Sequence, residues 1–247
     1  MAPLSSTHPD PSRVSLSAAS QVRSRVTLNR AITIAVAGMA LTACSSKKAA
    51  PTGPVVIPIT SRSGLVPVTS AGYVEARTSQ IVSNGALPGQ VFDDFKFTGS
   101  GTITTAQWQG IYCVQTAGSA APAPTATAFK VSFYADSSGY PKLGTPLTSA
   151  TYPLAQTGQT FEKNQGSLTC GTAANTNWSF YKYTVTLSAP FAVVANTKYW
   201  FSVQALTPSY DVYFGWRDGL VDNSSSLQLF NGAYTPYTFD RAFSLTP

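Results

Sequence analysis

All thirteen Phe, twelve Tyr and four Trp of this 247-residue chain lie at Tyr73 or later. A packed core is built largely from such side chains, so residues 1–72 hold little material for one and residues 73–247 must supply the fold. That stretch is long enough for a single core. Within it the apolar residues recur at every second position. Phe129, Val131, Phe133 and Ala135 alternate with Lys130, Ser132 and Tyr134; Tyr183, Val185 and Leu187 alternate with Thr184 and Thr186. Tyr199, Phe201, Val203 and Ala205 follow the same rule, as do Val212, Phe214 and Trp216. A period of two is the period of a half-buried strand. Turn residues separate the runs at 136–139, at Tyr140 and Pro141, at Asn196 and Thr197, at Asp218 and Gly219, and at Asn231 and Gly232. Many short strands with no helical period predict an all-β chain, an antiparallel β-sandwich of the jelly-roll kind.

The first 72 residues read differently. Arg23, Arg25 and Arg30 precede AITIAVAGMALTA, residues 31–43, which is uncharged and too short to span a bilayer as a helix. A basic region, a short apolar run and small residues before a cut have the layout of a secretory leader. Leu41-Thr42-Ala43-Cys44 at its end resembles the lipobox of bacterial lipoproteins. That resemblance implies removal of residues 1–43 as a signal peptide and a diacylglycerol on the Cys44 thiol. Several acyl chains on one residue exceed what stable anchoring needs. Ser45 stands where an inner-membrane retention signal would show Asp, which implies the outer membrane in a Gram-negative cell. Residues 44–72 carry Pro51, Pro54, Pro58 and Pro67 among Ser, Thr and Gly. They predict a tether with a span of about 30 Å, leaving 73–247 as the sandwich.

The stretches VFDDF (91–95), ITTAQWQGIY (103–112), FKVSFYADSSGYPKLG (129–144), residues 181–205 and FDRAFSLT (239–246) resemble a recurrent secreted β-sandwich domain of bacterial surface proteins. The resemblance implies the fold and an extracytoplasmic location and brings no activity with it. With Cys44 acylated, Cys113 and Cys170 remain. An even pair in an oxidising compartment reads as a disulfide, against the alternative of two separate buried thiols.

Charge and composition remove several function classes. The net charge of +6 divides as +3 on residues 1–43, +3 on 44–72 and zero on 73–247. The folded part has no basic excess for phosphate, so no nucleic-acid partner is expected. The single histidine, His8, lies in the leader. A Ser-His-Asp triad, a Cys-His pair and a His-ligated zinc site are therefore not expected in the mature chain. Glu75 and Glu162 are the carboxylates weighed for a glycosidase-like pair, and nothing in their spacing joins them.

Two binding chemistries remain as expectations. Asp93 and Asp94 open the first clear strand and Asp240 the last; neighbouring terminal strands would bring the three onto a structural calcium ion. The alternative has one Asp capping a turn and another paired with Lys96 or Arg241. Asp218, Asp222 and Asn223 form a weaker oxygen-rich group. Trp216, Tyr210 and Tyr213, with Tyr234 and Tyr237 in NGAYTPY, offer aromatic faces for a sugar, against the alternative of ordinary packing. Trp108 and Trp200 are assigned to packing. No catalytic residue and no required cofactor are expected. The sequence points to a lipid-anchored, non-catalytic module of the cell envelope, with the membrane as partner through Cys44 and a glycan or another envelope component as ligand. The alternatives are a purely structural or assembly lipoprotein and a glycosidase-like enzyme.

Overall fold

The computed structural model describes residues 75–83, 89–219 and 225–247. The chain divides at Ala50 and Pro51, and everything described belongs to the second part. Cys44, the tether, Asp222 and Asn223 lie outside the described residues.

Fourteen strands follow in chain order: β1 (Ala76–Thr78), β2 (Gln80–Val82), β3 (Gln90–Lys96), β4 (Gly101–Cys113), β5 (Ala128–Ser137), β6 (Tyr140–Pro141), β7 (Thr148–Pro153), β8 (Gly158–Cys170), β9 (Ala173–Val193), β10 (Lys198–Thr207), β11 (Tyr213–Arg217), β12 (Ser226–Phe230), β13 (Ala233–Tyr237) and β14 (Phe243–Thr246). A turn of 3-10 helix at Leu154–Gln156 is the only helical element among the described residues. The strands form two sheets packed face to face. One runs β1-β11-β4-β9-β8, with β14 also on β4; the other runs β13-β12-β3-β10-β5-β6, with β2 on β10 and β7 on β5. The pairing is antiparallel except for β2 with β10. The chain is thus an all-β sandwich.

The backbone of the arrangement is one rolled ribbon. β3 pairs with β10 in the second sheet, and β4 pairs with β9 in the first. The chain crosses between sheets together at both places, from β3 to β4 and from β9 to β10. The crossing is stitched by Asn196 N–H to the Phe97 carbonyl at 2.7 Å and by Ala195 N–H to Ser100 Oγ at 2.8 Å.

The period-two runs fill the space between the sheets. Phe129, Val131, Phe133, Tyr183, Val185, Leu187, Tyr199, Phe201, Val203, Phe214 and Trp216 all belong to one buried cluster. Aromatic geometry orders it: Trp108 stacks on Tyr183 at 5.6 Å, Phe133 on Phe191 at 4.4 Å, and Phe201 meets Trp216 edge to face at 5.5 Å. Gly110 on β4 makes room for the Phe214 ring, since a Cβ there would stand 2.2 Å from it. The buried Tyr183 hydroxyl donates to the Tyr112 hydroxyl at 3.0 Å, which spares both phenols an unpaired oxygen.

Each sheet also buries part of its outer face. On the second sheet Phe92, Tyr134, Trp200 and Leu227 form a satellite cluster. On the first, Ile111, Cys113, Cys170, Trp178 and Phe180 form another. The disulfide Cys113–Cys170 lies in that second satellite, with Cα atoms 6.0 Å apart. It ties the end of β4 to the end of β8 across β9 and closes a separation of 57 residues. Removing such a closure releases about 4 kcal/mol of unfolded-chain entropy. Replacing both cysteines by serine should lower the melting temperature by about 10 °C. A non-reducing thermal melt against the wild type measures it; curves within about 2 °C of each other would show that the bond adds little.

Candidate functional site

Alternation on β4, β9 and β11 decides what faces outward. Trp108, Tyr112, Tyr183, Phe214 and Trp216 face the core. Their odd-numbered or even-numbered neighbours Ile111, Cys113, Trp178, Tyr213 and Gly215 therefore face out. Over them lies a groove of about 750 Å³. Ile111, the disulfide, Leu168 and Trp178 form an apolar floor. Gly215 keeps the floor open and lets β1 approach: a Cβ there would stand 2.9 Å from the Ala76 Cβ and 3.3 Å from Ile111. The walls are polar, from Glu75, Arg77, Gln115, Gln165, Tyr213 and Gln228.

One wall is built as a chain of contacts that joins the two sheets. Arg77 Nη2 pairs with Glu75 Oε2 at 2.5 Å, and its guanidinium lies over the Tyr237 ring, 4.1 Å from the centroid. The Tyr237 hydroxyl donates to Gln228 Oε1 at 3.0 Å, and Gln228 Nε2 donates to the Thr78 carbonyl at 2.9 Å. The opposite wall comes from β8, where Gln165 stands directly across from Trp178 in the β8–β9 register. Two buried polar atoms of the lining, Arg77 Nε and Gln165 Oε1, have no hydrogen-bond partner within the protein. Buried polar groups are nearly always satisfied, so a donor and an acceptor left over in one groove distinguish it chemically.

The five aromatic residues expected to form a sugar platform do not gather. Trp216 is fully buried and donates its Nε1–H to the Ala242 carbonyl at 3.1 Å. It belongs to the same alternating set as Phe214 and faces the core with it. Tyr234 lies on the outer face of the second sheet, against Phe92 at 6.1 Å and Tyr140 at 5.3 Å. Tyr237, three residues along the same strand, turns to the other side and carries Arg77. Tyr213 lines the groove, with Tyr210 beside it at 6.2 Å. Sequence reasoning passed over Trp178, Gln165 and Arg77. The signal for Trp178 was present: with Tyr183 and Val185 facing inward, Trp178 and Phe180 must face outward, and two adjacent outward aromatics mark a second apolar surface.

The three aspartates come within electrostatic reach of one another, the Asp240 carboxylate raising both Asp93 and Asp94, but they stand on different elements and faces. The first clear strand, β3, and the last, β14, lie in different sheets; β14 pairs with β4. Asp93 and Asp94 are consecutive on a strand and point to opposite faces. Asp94 pairs with Lys198 at 3.3 Å on the outer face. Asp93 is buried and accepts the backbone N–H of Arg241 through Oδ2. Asp240 accepts the Ser225 N–H at 3.1 Å. The guanidinium of Arg241, fully buried, pairs with Asp218 and donates to Ser226 Oγ and to the Phe239 carbonyl at 3.0 Å. Among the described residues no three cysteine, histidine or carboxylate side chains form a set that could hold a metal ion. Glu162, the other carboxylate weighed for hydrolysis, accepts both hydrogen bonds of the Gln109 amide group, at 2.9 and 3.1 Å, while Glu75 is paired with Arg77.

Fold and groove together define a disulfide-pinned β-sandwich with a polar-walled recess on an outer sheet face. Residues 68–236 match the family described as a domain of unknown function (DUF7901), and the chain belongs to that family. No curated protein and no solved structure matches it.

The buried acid cluster has a consequence for pH. Burial, and next the Asp240 carboxylate, hold the Asp93 carboxyl well above the usual carboxylate range. Burial also raises Asp94 and Asp218, against the opposing pull of Lys198 and Arg241. A raised carboxyl stabilises the fold while protonated: its contribution is complete below the unfolded value of about 3.9 and is lost as pH rises through the folded one. Thermal stability should therefore fall as pH rises above the unfolded carboxylate value of about 4. Asp93→Asn, which keeps an oxygen for the Arg241 N–H, should flatten that fall. Equal slopes for the two proteins across a series of melts would show that Asp93 does not govern it.

Proposed function

We propose that this chain is a lipid-anchored, non-catalytic binding module of the bacterial cell envelope, held through an acylated Cys44 and presenting its outer groove to a glycan or another envelope component. The observation that carries the reading is the Cys113–Cys170 disulfide in the groove floor. Stable disulfides belong to oxidising compartments, in line with the leader and lipobox that precede the domain. The same bond fixes the floor of the recess, so the binding surface is rigid before any ligand arrives. What supports a binding role is the groove's lining of paired charges, amides and aromatic edges. In a Gram-negative cell Ser45 after the acylated cysteine directs the chain to the outer membrane.

The test is fractionation of cells that produce the full chain. Wild-type protein should sediment with membranes, withstand salt and carbonate washes, and take up radiolabelled palmitate. Cys44→Ser should carry no label and appear in the soluble fraction. Retention of the serine variant in washed membranes would overturn the lipid anchor.

A further inference from the structure

Resting on that reading, we propose that the groove above the Cys113–Cys170 disulfide is a carbohydrate site, and that its ligand is a short neutral oligosaccharide held by Arg77 and Gln165 at the edge of Trp178 and Tyr213. The volume of about 750 Å³ falls within the range of roughly 300–1,000 Å³ typical of small-molecule sites. The lining then narrows the chemistry.

Among the described residues the groove's one lining cation is Arg77, which is paired with Glu75, so the charges of this lining balance and do not select a phosphate or carboxylate. The floor is apolar but the walls carry Arg77 Nε and Gln165 Oε1, buried without a partner, which an acyl chain would leave unsatisfied. A peptide adding as a strand would take a sheet edge, whereas this groove lies on the sheet face; at the β1 edge the Thr78 carbonyl already accepts from Gln228.

Sugar fits what is left. A pyranose presents an apolar C–H face and a rim of hydroxyls, each both donor and acceptor. The floor matches the face. On the rim, Arg77 Nε–H is a donor and Gln165 Oε1 an acceptor, both without a partner inside the protein. A hydroxyl can answer either one. Both atoms are buried, so a ligand reaches them by small rotations: the Gln165 amide is free to turn about a soft terminal torsion, and the Arg77 side chain is 30% exposed on a flexible stem.

The floor also supplies a reporter. Trp108, Trp200 and Trp216 are fully buried, and among the four tryptophans Trp178 lines the groove. Binding should change the fluorescence of Trp178, and the change should vanish in Trp178→Phe. The experiment titrates detergent-solubilised full-length protein with cello-, malto-, manno- and chitotriose, by fluorescence and by calorimetry, and in parallel sediments it with purified cell-wall sacculi. At least one triose should bind and give the fluorescence change. Arg77→Lys keeps the charge opposite Glu75 and lacks the Nε donor; Gln165→Met keeps the shape and lacks the acceptor. Each should weaken binding about tenfold, with an unchanged melting temperature. Binding that both variants keep at full strength would overturn the groove as the site and leave the binding-module reading standing. Sedimentation with sacculi but no affinity for any triose would overturn the ligand class alone. No affinity for trioses or sacculi would overturn both this site and the binding-module reading, whereas the anchor stands or falls on fractionation.

Discussion

The pairing of β4 with β9 is the constraint on which the rest depends. It runs from Gly101 opposite Val193 to Tyr112 opposite Ser179, with one irregularity between Ile103 and Thr105. Every side chain on these strands is committed by that register to one face or the other. Trp108, Tyr112, Tyr183 and Val185 go inward and hold the second sheet; Ile111, Cys113, Trp178 and Phe180 go outward. A slip of β9 by one residue would turn Trp178 and Phe180 toward the core and Tyr183 and Val185 out of it. The disulfide forms where it does because the register leaves Cys113 and Cys170 on the same outer side of β9.

The strand faces were legible from period-two alternation alone, because each inward residue must find a large apolar partner. The same rule already placed Trp216 with Phe214 and Val212 on the inward side. Offering Trp216 as a ligand platform set local composition, a tryptophan beside turn residues, above the periodicity that defined its strand. Tyr213, its outward neighbour, is the residue the pattern would have chosen. The groove was harder to see. Its walls come from β1, β8 and β12, which are far apart in sequence, and no local signal says that Arg77 will meet Tyr237.

Asp240 comes near Asp93 and Asp94 through the segment before β14, although β14 itself joins β4 and not β3. What assembled there is an ionic and polar knot around Arg241, with Asp218 on its guanidinium, Asp93 on its backbone and Ser226 on both Nε and Nη2. An arginine buried so completely is tolerable only when several of its donors are used. The knot joins β3, β11, β12 and the segment before β14, so it fixes where the C-terminal strand begins.

The ring closed by Cys113 and Cys170 has one more effect. Its arc includes the crossing at residues 114–127, where Gln115, Thr116, Ala117 and Gly118 are exposed. Exposed loop segments are where proteases cut first. A cut within that arc opens the backbone but does not divide the molecule, since both fragments stay joined through sulfur. The two pieces also remain held by β5 in the second sheet and by β8 against β9. The domain can thus be nicked at this exposed crossing and still keep its shape.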